Sequence, residues 1–402
     1  MLNHGIDILP QPHEEAKKQS LLLRRRIRTA CDRSDGWISF SEYMDIVLYE
    51  PALGYYSGGL QKFGQKGDFI TAPEVSPLFA RCLANQVSEV ISDFLHQGCK
   101  RPCLLEFGAG SGILAAGMLL QLEKLERLPE RYYIVELSAE LKQRQRTTIE
   151  KQAKHLLGCV QWLDQLPDKM GEVIVVANEV LDAMPVECFR LSAGGQEHES
   201  LMVGFDGDQL VTKYVPAVEA VVEKITEIQQ RSECLLAEDY RSEYNPAISG
   251  WLSALESKID RLVIFLIDYG YNETEYFHAD RVDGTLMCYY QHRAHEDFFW
   301  WPGLQDITAF VNFTDVAYCA TASGMDVSGY TTQAAFLLAN GLSELHAEQV
   351  TDDIQQQIKL SQQIKTLTLP SEMGDRFKVM AITKNYDQTL KGFSMLDMRN
   401  RL

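Results

Sequence analysis

A short apolar run, Leu104-Leu105-Glu106-Phe107, leads without interruption into Gly108-Ala109-Gly110-Ser111-Gly112 and then into a helical stretch over 114–128. Strand, glycine turn and helix in immediate succession open a βαβ unit, because glycine lets the backbone turn tightly and lie close under a bound nucleoside. Short apolar runs at 132–136, 160–163, 173–177 and 262–267 follow, alternating with helical stretches. That alternation predicts an α/β fold built on a parallel sheet.

The order breaks between the fourth and fifth runs. Residues 188–215 alternate like strands around Ala193-Gly194-Gly195 and Asp206-Gly207-Asp208, and 218–230 and 247–259 read as helices, which marks an insertion. Before the glycine run, 14–50 looks helical, 51–68 is Gly- and Tyr-rich loop, and Ser76-Pro77 opens a helix to about Leu95. After the fifth run, 285–291 and 377–383 read as strands, with helices near 307–322, 331–340 and 344–367. These features predict an N-terminal helical and loop cap over 14–100, a Rossmann-like core over 101–187 and 261–390, and an inserted α+β subdomain over 188–260.

Charge limits the partners. The formal net charge of -18 argues against nucleic acid, whose binding draws on clustered Lys and Arg. No apolar run approaches the length of a membrane span. The nine cysteines are scattered without zinc spacing, so reduced thiols and no structural metal are expected. Residues 1–18 contain Asp7, Glu14 and Glu15 and lack an apolar region. Their composition resembles neither a secretory signal nor a transit peptide, and it predicts a cytoplasmic, bacterial protein.

The third glycine of a dinucleotide fingerprint would fall at position 113, where the chain has Ile113. Acidic-x-Gly-x-Gly-x-Gly, with Glu106, Gly108, Gly110 and Gly112, is instead the pattern of S-adenosylmethionine methyltransferases. Glu136 ends the second strand, where a carboxylate can accept both ribose hydroxyls of an adenosine. Glu106, Glu136, Glu179 and Asp182 gathered at strand ends would repel a pyrophosphate and attract a sulfonium and an α-amino group.

Past the fourth run stands Ala177-Asn178-Glu179-Val180-Leu181-Asp182-Ala183-Met184-Pro185. Glu179 and Asp182 would share one face if a helix began here, and would then hold the substrate nucleophile; capping of that helix is the competing account. Ile267-Asp268-Tyr269-Gly270 repeats the logic one strand over, with Asp268 in reserve or simply forming a turn. His292, Arg293 and His295 lie after the 285–291 run, and their part in a site is left open. Trp300 and Trp301 read as packing or wall residues.

Together, Gly67-Asp68-Phe69-Ile70-Thr71-Ala72-Pro73-Glu74, the glycine run, the 177–186 segment, Ile267-Asp268-Tyr269-Gly270 and Gln291-His292-Arg293 resemble the MidA family of methyltransferases. The likeness runs in order from about residue 20 to residue 385. It implies a class I methyltransferase core whose N-terminal segment folds over S-adenosyl-L-methionine, with Thr71, Pro73, Glu74 and Asn178 added to the cofactor-binding residues. The family includes the mitochondrial complex I assembly factor that methylates an arginine. The resemblance therefore implies protein arginine methylation and a protein substrate such as a complex I (quinone oxidoreductase) subunit or its bacterial equivalent; the oligomeric state is left open, a homodimer being one option. Two rival readings remain at this point: a non-catalytic assembly protein that keeps the fold, and an NAD-dependent oxidoreductase.

Overall fold

The structure is a computed structural model that describes residues 9–58, 70–99, 101–192, 197–231, 239–349 and 352–402. Gly67-Asp68-Phe69 of the N-terminal motif and the Ala193-Gly194-Gly195 turn lie outside the described residues. The chain divides into two compact units, one comprising the chain before residue 70 with 182–247 and 271–312, the other 70–181, 248–270 and 313–402.

The second unit holds the large sheet. Its strands run, in spatial order, Asp326–Thr332, Phe377–Lys384, Ile259–Tyr271, Met170–Asn178, Cys103–Phe107, Tyr132–Val135 and Val160–Leu163. Numbered along the chain from Cys103–Phe107, this reads 6-7-5-4-1-2-3. The pairings among the first five are parallel, and Phe377–Lys384 inserts antiparallel between Ile259–Tyr271 and Asp326–Thr332. The central strands are near-continuous apolar runs because helices cover both faces. Leu104, Ile174, Val176 and Phe265 pack with Val87 and Ile91 of the helix Pro77–His96 and Leu119 of the helix Ile113–Lys124, all at most 1% exposed. Pro77 supplies a preset φ at the first helical position, and the Ser76 hydroxyl accepts from the Leu78 amide at 3.3 Å.

The first unit is mostly antiparallel. Trp37–Ser39, Glu197–Asp206, Glu187–Ser192 and Arg241–Tyr244 are adjacent in that order, with Gln209–Pro216 on Glu197–Asp206. Gly207, at φ +58°, makes the tight reversal of that last hairpin. The helices Glu14–Arg33 and Phe40–Tyr49 bury Leu23, Ile27, Phe40, Tyr43 and Val47 in the same core as Ile38 and Val203.

Local signals misled in five places. The expected helix over 14–50 is interrupted by the strand Trp37–Ser39, after which Ser39 caps a new helix through the Glu42 amide. The expected strand 285–291 is Met287–Tyr290 and belongs to a three-stranded sheet with Arg293–His295 and Asp306–Thr308, within the first unit. The helix expected from 307 begins at Phe313, because 306–308 and 311–312 are extended. The helix expected near 331–340 is Gln333–Ala339 but is entered from the strand Asp326–Thr332, which was not expected, and the helix over 344–367 is two, Leu342–Ala347 and Ile354–Thr368.

Candidate active site

Register brings the site residues together. Phe107 pairs with Val135 on one side and Ala177 on the other, so Gly108, Glu136 and Asn178 emerge side by side at the carboxyl ends of three strands. Ile267 pairs with Asn178, which sets Asp268 beside Glu179. The first and fourth strands are the neighbours from which the order runs in opposite directions, the position where open α/β sheets bind ligands.

The glycine turn needs its glycines. Gly108, Gly110 and Gly112 have φ of +63°, +50° and +81°. A Cβ on Gly108 would come within 2.8 Å of Val180 Cγ2, and one on Gly112 within 2.8 Å of Gln145 Cα. Glu74, on the short helix Ala72–Val75 with Thr71 at its N-cap and Pro73 in its first turn, accepts from the Ser111 hydroxyl at 2.5 Å. The Thr71–Glu74 motif is thereby tied directly to the glycine turn.

Glu136 is 9% exposed, and burial raises its pKa above the ordinary glutamate value. One carboxylate oxygen accepts from the Ser138 amide at 2.9 Å, the other from Gln145 Nε2 at 3.0 Å. Gln145 was missed in the sequence. Fully buried on the helix Ala139–Ala153, it also donates to the Gly110 carbonyl at 3.3 Å and accepts from Trp162 Nε1 at 2.8 Å. The available signal was a polar residue within the apolar stripe Leu141, Gln145, Ile149, Ala153.

After Asn178 the chain bends and turns and makes no helix before the strand Glu187–Ser192. The shared helical face proposed for Glu179 and Asp182, and the capping alternative, both lapse. Glu179 instead sits at φ +53°, a left-handed conformation costly for a residue with a side chain. Its amide donates to the Ile267 carbonyl at 2.9 Å, and its carboxylate accepts from Asn178 Nδ2 at 3.1 Å. Asn178 Oδ1 is buried without a hydrogen-bond partner among the described residues. Asp268, 1% exposed, accepts from the Leu181 amide at 3.0 Å and from the Tyr269 amide at 2.9 Å, so it holds the turn that carries Glu179.

Asp182 belongs to the first unit and is 6% exposed. Its carbonyl accepts from the Ala309 amide at 3.0 Å. Nearby, the Tyr56 hydroxyl donates to both Asp306 oxygens, at 2.9 and 3.0 Å, and Tyr56 stacks on Tyr49. Burial, then the charges of Asp306 and Asp182 among others, holds the Tyr56 hydroxyl well above the ordinary tyrosine range.

Glu106 does not face an open cleft. It is 1% exposed, accepts from the Tyr132 hydroxyl at 2.7 Å, and is pushed up to about 7 by burial, with the Tyr132 bond opposing. His292 and Arg293 lie at the turn between two strands of the three-stranded sheet, in the first unit. His295 packs edge-on to Trp300, and burial lowers its pKa. Trp300 is buried with Leu9, Tyr290 and Leu304.

A 6-7-5-4-1-2-3 sheet with its lone antiparallel strand next to last, and a glycine turn after the first strand, defines a Rossmann-like enzyme of the class I methyltransferase type. Residues 82–331 match the family of S-adenosyl-L-methionine-dependent methyltransferases that includes MidA, and the chain belongs to that family. Among solved structures, a protein from Burkholderia thailandensis bound to S-adenosyl-homocysteine superposes with a TM-score of 0.90 at 40% identity, over 98% of this chain and 100% of that one. A native structure from the same organism gives 0.87 at 39% identity, with the same coverage. The chain is 27% identical to a Drosophila melanogaster protein named protein arginine methyltransferase NDUFAF7 homolog, mitochondrial, over 93% of this chain and 87% of that one. It is 26% identical to the Homo sapiens protein arginine methyltransferase NDUFAF7, mitochondrial, over 90% and 82%. Family membership displaces the oxidoreductase reading. Among the described residues no helix is long and apolar enough to cross a membrane.

Proposed function

We propose that this methyltransferase modifies an arginine of a protein, with a respiratory complex I subunit or its bacterial equivalent as the candidate acceptor. The names of the animal relatives support the acceptor. The observation that carries the chemistry is the acidic turn after Asn178, which holds Glu179 in a left-handed conformation braced by Asp268.

The residues fit the cofactor. The Gly108–Gly112 turn takes positive-φ glycines that let the backbone lie close to a nucleoside, Glu136 offers carboxylate oxygens to ribose hydroxyls, and the unpartnered Asn178 Oδ1 suits an α-amino group. Thr71, Pro73 and Glu74 would close over the same turn, and Glu106, hydrogen-bonded to Tyr132 in the core, lies on the strand that leads into it. When bound, S-adenosyl-L-methionine supplies an electrophilic methyl on a sulfonium.

The chain's own task is then to orient and polarise the acceptor. A guanidinium is protonated near neutrality, so its attacking nitrogen needs carboxylates that take its fork, draw positive charge away and accept the proton released as the N–C bond forms and the C–S bond breaks. Glu179 and Asp182 carry that role, and the aromatic, acidic surroundings of Asp182 suit a planar cation. Asp268 acts through the backbone as a positioning residue. Expected outcomes are that Glu179→Gln and Asp182→Asn bind the cofactor within a few-fold of wild type and lose most of the single-turnover methylation rate; full activity in both would remove them from the mechanism.

A further inference from the structure

The helix Glu14–Arg33 places Arg24, Arg25 and Arg28 along one wall of a cavity of about 590 Å³ whose lining also includes Phe205, Phe299, Trp300, Trp301 and one acidic residue, Asp208. Every one of these residues lies within the first unit. Three guanidiniums in one hollow run against a chain of net charge -18. Their local neutralisation is slight. Arg24 donates to the Asp208 carbonyl, and Arg28 reaches the Gly207 carbonyl at 2.8 Å and the fully exposed Asp208 carboxylate at 3.1 Å. The Arg25 side chain has no hydrogen-bond or ion-pair partner among the described residues.

The aromatic walls are fixed. Arg28 lies over the Phe205 ring at 4.1 Å, and Gly303, at φ +82°, lets the 299–304 segment seat where a Cβ would meet Leu23 Cδ2 at 2.5 Å. The cavity therefore combines preset arginine forks, which match carboxylates, with rigid apolar surface.

We propose that this cavity is a docking site for an acidic, apolar-containing peptide segment of a protein partner. Spacing favours a peptide. Arg24 and Arg28 stand one helical turn apart, about 6 Å along the axis, and alternate residues of an extended peptide lie about 6.6 Å apart. Carboxylates two residues apart thus meet successive guanidiniums while neighbouring apolar side chains contact Trp301 and Phe299. The choice of a peptide over a small anion also rests on the reading of the methyl acceptor as a protein.

The test is fluorescence anisotropy of a labelled ten-residue peptide with glutamates at alternate positions and leucines between, titrated with the full-length protein. The expected result is saturable binding that weakens with salt and falls at least tenfold in Arg25→Glu, while the analogue with lysines for glutamates does not bind. Arg25→Glu should keep the wild-type melting temperature and its rise with S-adenosyl-L-methionine, since Arg25 is exposed. Equal binding of both peptides, or no change in Arg25→Glu, would overturn the site. Competition by inorganic phosphate at matched concentration would make it a small-anion site. A dimer by sedimentation that Arg25→Glu dissociates would make it an interface between copies. No arm depends on methyl transfer, so loss of the arginine assignment and loss of this site are separately visible.

Discussion

Single residues here trade stability for position. Glu106 is buried with its carboxyl pushed up to about 7, from an ordinary value of 4.5. A carboxyl with a raised folded pKa binds more protons folded than unfolded, so its stability contribution is present below about pH 4.5 and is lost as pH rises toward 7. At pH 8 the cost approaches about 3 kcal/mol. Glu106→Gln should therefore be more stable than wild type at pH 8, with the gain shrinking to nothing near pH 4.5, as read from urea melts of cofactor-free protein across pH. A pH-independent difference would place Glu106 in a wetter setting than its 1% exposure indicates. Glu136→Ala should weaken S-adenosyl-L-methionine binding by about tenfold or more, the effect of losing a charged hydrogen bond worth about 1.5–3 kcal/mol, as read by calorimetry. Residue types and strand-end positions drew attention to Glu136 and Asp268 in the sequence, and the family resemblance added Asn178. The strain at Glu179 was not, because Glu-Val-Leu-Asp reads as a helix start until Asp268 is seen to take the Leu181 amide.

At the scale of elements, the glycine turn is held by a helix that no motif marks. Gln145 joins Glu136, Gly110 and Trp162 through its one amide. Gln145→Leu leaves a buried carboxylate oxygen and an indole N–H without that partner, and should raise the cofactor dissociation constant by about tenfold. With the nucleoside at Glu136 as proposed, the single-turnover rate at saturating cofactor should stay near wild type, a split that general unfolding would not give. The five parallel strands were legible because continuous apolar runs bounded by turn residues have few alternative readings. Short edge elements were less so. Asp326–Thr332 and Trp37–Ser39 carry weak local signals and are strands because their partners, Phe377–Lys384 and Glu197–Asp206, supply the hydrogen bonds.

For the whole molecule, a ligand that binds only the folded chain stabilises it by mass action. S-adenosyl-L-methionine and S-adenosyl-homocysteine at about a hundred times their dissociation constants should add about 2.7 kcal/mol and raise the melting temperature by several degrees, and NAD should not. The fold was readable from the alternation of apolar runs with helices, and the cofactor class from the glycine run taken with the strand-end carboxylates and the family resemblance. The acceptor was not, because no run of residues encodes the surface of another protein. The most direct measurement incubates the purified protein and methyl-labelled S-adenosyl-L-methionine with an extract of cells lacking this protein, followed by mass spectrometric mapping of the label. The account requires label on an arginine of one protein, absent when Glu179→Gln replaces the wild type. No incorporation by a preparation that binds the cofactor, or label on a residue other than arginine, would contradict it.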